Sequence, residues 1–66
     1  MDKNEVGERL TKLRGKKTQQ EIAEAIGVAP STYAMYEIGQ RMPSDNVKVR
    51  IANHYKKTVR TIFFAP

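Results

Sequence analysis

Apolar residues fall at helical spacing in five short stretches of this chain, and most stretches are bounded by residues that start or stop helices. Val6, Leu10 and Leu13 line one face of a first helix over about residues 3–14, opened by Asp2 and Glu5 in capping-box spacing and weakened by Gly7. Gly15, Lys16 and Lys17 break the pattern. Thr18 and Glu21 form a second capping box, after which Ile22 and Ile26, flanked by Ala23 and Ala25, give the inner face of a helix that Gly27 ends with positive φ. Val28 fills a turn. Pro30 stands at a first helical position, where no N–H donor is needed, and Tyr33 and Tyr36 are the inward positions of a third helix that Gly39 terminates. Gln40 to Pro43 read as a loop. Ser44 caps a fourth helix with Asp45 in its first turn and Val47, Ile51, Ala52 and Tyr55 as its stripe, and Thr58 opens a short fifth helix holding Val59, Ile62 and Phe63. No strand alternation or internal repeat interrupts this series, so the expected fold is all-α, a compact five-helix domain spanning 1–66.

Residues 18–38 thus carry two short helices hinged at a glycine, the second opened by proline. That is the layout of a helix-turn-helix whose second helix enters a DNA major groove. The chain has 66 residues, enough for one small core and no second functional domain. With no cysteine, disulfides, thiolate metal sites and cysteine nucleophiles are excluded. His54 has no ligand or catalytic partner at suitable spacing, and no nucleophile–base pair or phosphate-cradling glycine loop is visible, so no enzyme activity, cofactor or metal is expected. The longest apolar run, Ile62 to Ala65, is too short to span a membrane, and acidic residues near the N-terminus do not suit a signal peptide. The expected setting is the cytoplasm, for a prokaryotic or phage-encoded protein associated with the nucleoid.

The net charge of +5 is unevenly placed: residues 38–66 hold six basic side chains against Asp45 alone, whereas 1–37 are balanced. Beside a groove-reading motif, such cations neutralise phosphates.

TQQEIAEAIGV, then STYAMYE with Ile38 and Gly39, then the basic loop ending MPS, then IANHY before TVRTIF follow one another in the order of a known family. With these marks the chain resembles the Cro and phage-repressor (XRE-like) helix-turn-helix proteins over nearly its whole length. The resemblance implies a five-helix DNA-binding domain that occupies an operator, usually as a homodimer. Three departures stand out: the loop between the first two helices is short, Ala29 replaces a Ser or Thr cap, and Lys56 stands where the family generally has Gly.

By matched position the resemblance implies base-facing roles for Pro30, Ser31 and Met35, with Thr32, Tyr33 and Ala34 near the groove or its walls. Tyr33 is equally readable as purely structural. Gln40 and Arg41 match positions that grip the sugar-phosphate backbone, and an inward salt bridge of Arg14 with Glu37 is implied. Gln19, in the first turn of the second helix, is placed to hold a phosphate, and Lys16 and Lys17 to reach the strand from the other side. No Arg, Asn or Gln occupies 29–38, so bidentate base readout from this helix is absent and thymine-methyl contacts and DNA shape must carry specificity. Ile62, Phe63 and Phe64 exceed what so small a core should absorb and are the expected dimer contacts. The function expected is repression of transcription from an inverted-repeat operator, with RNA polymerase contact from an adjacent site as a variant. Two alternatives are an antitoxin-type module whose main partner is a toxin, and a restriction-modification controller protein.

Overall fold

The structure, a computed structural model, describes residues 2–65. Five helices follow in order: α1 (Lys3–Arg14), α2 (Gln19–Ile26), α3 (Pro30–Glu37), α4 (Asp45–Tyr55) and α5 (Arg60–Phe64), the last a single wide π-type turn. Their starts are fixed locally. Asp2 Oδ1 accepts from the Asn4 N–H at 2.8 Å, and Ser44 Oγ accepts from the Val47 N–H at 3.4 Å. The Thr18 box is reciprocal, its Oγ1 accepting from the Glu21 N–H at 3.0 Å while Glu21 Oε1 accepts from the Thr18 N–H at 3.2 Å. Thr58 Oγ1 accepts from the Thr61 N–H at 3.0 Å, capping the final turn. Each of these bonds satisfies a backbone donor that the first helical turn leaves open.

Helix α4 ends on Lys56 in the left-handed region (φ 56°), with the Lys57 N–H donating to the Ala52 carbonyl at 2.9 Å. The same closing bond ends α2 at Gly27 (φ 79°), where the Val28 N–H donates to the Ala23 carbonyl at 3.0 Å. Lys56 is the one non-glycine residue with positive φ among those described, and its Cβ crowds the backbone there. Lys56→Gly is therefore expected to stabilise the fold by about 1 kcal/mol, raising the thermal midpoint by roughly 4–8 °C. A midpoint unchanged or lowered in calorimetry would refute the strain at this cap.

Helices α1 and α2 both pack on α3, α2 also meets α4, and α5 lies on α1. Their shared core holds Val6, Leu10, Ile22, Ala23, Ile26, Tyr33, Tyr36, Ile51, Ala52, Ile62 and Phe63. Each fully buried large aliphatic or phenyl side chain contributes about 1.5–3 kcal/mol. Leu13 and Tyr55 are half-buried at its margin, and Ala25 is exposed, outside the inner face of α2. Gly7 lies where α1 crosses the end of α3: a Cβ there would sit 2.8 Å from the Glu37 carbonyl carbon and 3.0 Å from the Tyr36 oxygen. The glycine that weakens α1 as an isolated helix is what lets two backbones touch.

The expectation that Ile62, Phe63 and Phe64 lie together at an interface is corrected. Ile62 and Phe63 are 1% and 0% exposed, inside the core, and only Phe64 remains outside. Both join the shared apolar core, and the Arg9 guanidinium ties the same turn to α1, donating to the Ile62 carbonyl at 2.9 Å and the Ala65 carbonyl at 2.7 Å.

Candidate nucleic-acid interface

The orientation of α3 is set by two aromatic anchors. Tyr33 and Tyr36 face inward with rings edge-to-face at 6.3 Å, and the Tyr33 hydroxyl lies 3.1 Å from that of Tyr55 on α4. This corrects the reading of Tyr33 as a DNA contact: the side chain is fully buried. Burial, and then the hydrogen bond to Tyr55, push its hydroxyl pKa well above the ordinary tyrosine value, so it stays neutral.

With that face engaged, Pro30, Ser31 and Met35 are exposed, and Thr32 and Ala34 are half-exposed. The Ser31 side chain has no hydrogen-bond partner among the described residues, which leaves its hydroxyl available to a ligand. Ala29 provides no side-chain bond at the start of α3. Pro30 at the first helical position and the packing of Tyr33 stand in for a cap ordinarily worth about 1 kcal/mol. Ile38, directly after the helix, is 64% exposed, an apolar position next to the same surface that residue-by-residue reading did not single out.

A polar cluster fixes the other end of α3. Arg14 grips Glu37 with two hydrogen bonds, Nε to Oε2 at 2.7 Å and Nη2 to Oε1 at 3.1 Å, while the Gln19 amide donates to Oε1 at 2.9 Å. Arg14 Nη1 also donates to the Lys17 carbonyl at 2.7 Å. One carboxylate, 4% exposed, thus joins α1, the loop after it, the first turn of α2 and the end of α3. Burial alone would raise the Glu37 pKa, but hydrogen bonding from Arg14, Gln19 and Tyr33 and the Arg14 charge outweigh it, and the group titrates below the usual carboxylate range. The cluster brings Gln19 into the structural frame: its amide faces Glu37, so a phosphate contact from this residue would fall to its backbone N–H at the helix start.

Lys16 and Lys17, on the loop tied by Arg14, are exposed, as are Gln40 and Arg41 after the turn at Gly39. Arg50 on α4, which no sequence motif marks, donates to the Ile26 carbonyl at 3.3 Å and closes the end of α2. Among the described residues no acidic or histidine cluster has metal-binding geometry, and no helix is long and apolar enough to cross a membrane.

The helix-turn-helix family HTH_3 matches residues 9–62, which contain this whole arrangement. The chain belongs to the HTH_3 family. It is 43% identical over 53 residues to the HTH-type transcriptional regulator AnsR of Bacillus subtilis, an alignment covering 77% of this chain and 46% of AnsR. The chain therefore spans just under half the length of that relative. Among solved structures it resembles the restriction-modification controller protein C.AhdI from Aeromonas hydrophila, with a TM-score of 0.84 and 30% identity over 94% of this chain and 97% of that one. It also resembles the SOS-response transcriptional repressor LexA from Eubacterium rectale, with a TM-score of 0.86 and 27% identity over 92% of this chain and 67% of the other. The fold is the helix-turn-helix of the HTH_3 family, and α3 is the second helix of that motif.

Proposed function

We propose that this chain represses transcription by occupying an inverted-repeat operator as a homodimer, each α3 entering a major groove one helical turn from the other. One observation carries the reading: the buried tyrosines turn Pro30, Ser31 and Met35 outward from a helix braced by α1 and α2. Ser31 supplies hydrogen bonding to base edges, Pro30, Ala34 and Met35 supply apolar contact to thymine methyls, and Thr32 lies at the groove wall. Arg41, Gln40, Lys16, Lys17 and the start of α2 at Gln19 hold the strands. Phe64, 58% exposed at the end of α5, is the remaining dimer contact.

Selection of bound sites from random duplexes tests this directly. The expected result is a two-fold symmetric site with half-site centres about 10 base pairs apart; recovery of no enriched sequence, or of a single asymmetric one, refutes the operator model. Arg41→Ala should weaken binding to every duplex alike and lower the slope of log affinity against log salt by about one. A wild-type slope would remove Arg41 from the interface.

A restriction-modification controller is the second reading, favoured by the near end-to-end match to C.AhdI. It shares the DNA-binding step and differs in regulated target: a methyltransferase and endonuclease pair encoded beside this chain would decide for it.

A further inference from the structure

A groove of about 310 Å³ lies on a different set of elements, between α1 and the α4–α5 junction. Half-buried Leu13, the outer edge of buried Ile62, Thr61, Arg9, Lys12 and Lys57 line it. Arg9 is turned onto the carbonyls of Ile62 and Ala65. Lys12 and Lys57 differ from it: both are exposed, and neither forms an ion pair among the described residues. Among the described residues no carboxylate lines the groove.

A lining that combines apolar side chains with two exposed lysines that form no ion pair suits a ligand that is apolar at one end and anionic at the other. A nucleic-acid backbone would use the lysines and leave Leu13 and Ile62 idle. The volume is at the low end of small-molecule sites, which run from about 300 to 1,000 Å³. We propose that this groove binds a small amphipathic carboxylate, a medium-chain or aryl acid whose hydrocarbon lies on Leu13 and Ile62 and whose carboxylate meets Lys12 and Lys57. Such a ligand touches α1 and α5 together, so its occupancy fastens the C-terminal turn to the first helix. The site stands independently of the operator reading.

Octanoate, acetate and octylammonium, each below any micellar concentration, are titrated into the isotope-labelled protein and followed by amide NMR. Octanoate is expected to shift Lys12, Leu13, Lys57, Thr61 and Ile62 and to saturate near about 1 mM, the affinity ordinary for some ten ligand atoms. Acetate, lacking the hydrocarbon, and octylammonium, bearing the wrong charge, should bind at least about tenfold more weakly. The double variant Lys12→Gln with Lys57→Gln, at exposed positions, should keep the wild-type thermal midpoint and lose octanoate binding about tenfold. Equal responses to octanoate and octylammonium, shifts centred on Met35 or Phe64, or wild-type binding by the double variant would each overturn the proposal. So would displacement of bound octanoate by duplex DNA at these same amides, which would assign the groove to the nucleic acid.

Discussion

Gly7→Ala is expected to lower stability by about 2–3 kcal/mol, although it replaces the poorest ordinary helix former with the best. The propensity gain on α1 is at most about 1 kcal/mol. Against it, the new methyl would meet the Glu37 carbonyl group and the Tyr36 oxygen, all of them backbone atoms at the end of α3. No side-chain rotation relieves such a clash, so α1 and α3 must separate, and overpacking of this kind costs about 1–3 kcal/mol, occasionally more. Separation also loosens the Arg14–Glu37 grip and the approach of Asn4 to Gly39. A domain of this size has roughly 3–10 kcal/mol in hand, so the variant should melt about 10–20 °C lower. A Gly7→Ala protein as stable as the wild type would show that the helices do not cross this closely.

Loss of Arg14 should be the more damaging change, about 3–5 kcal/mol at neutral pH, because it strands the buried Glu37 carboxylate with the neutral Gln19 amide and Tyr33 hydroxyl in place of a charged partner. Replacing both partners by apolar residues of similar volume should cost much less, which distinguishes a stranded charge from simple loss of contact. The pH dependence separates the cases further. In the wild type the folded Glu37 pKa is below its unfolded value of about 4.5, so the unfolded chain binds the proton more readily. The contribution is full above that value and is lost as pH falls through the folded pKa. In Arg14→Ala the dominant remaining influence is burial, which raises the folded pKa, so stability should instead increase as pH is lowered from 7 toward 5. Chemical denaturation across that range measures both slopes; parallel profiles would refute the pairing.

Much of this fold is legible in the chain because its boundaries are set by neighbours in sequence. The Thr18 box, Pro30 and Ser44 each act within one helical turn, and the structure places α2, α3 and α4 where those residues predict. What was not legible depends on partners far away in sequence. Tyr33 offers an apolar ring and a polar tip, and the hydroxyl of Tyr55 decides that both go inside. Ile62 and Phe63 are covered by core residues from the other helices, and the Arg9 bonds that tie their turn to α1 have no periodic signature. Gly7 reads locally as a defect, since the carbonyl it must clear belongs to another helix. In the candidate interface, residue type marked Ser31 and Met35 as outward, but could not show that the Gln19 amide is engaged by Glu37.

Helix α3 divides its labour by face. Tyr33, Tyr36 and Glu37 attach it to the scaffold, while the side chains of Ser31 and Met35 take no part in that attachment. Exchanges at those two positions therefore rewrite what the helix displays without touching what keeps it in place, and a lineage built on this chassis is free to acquire new targets one residue at a time.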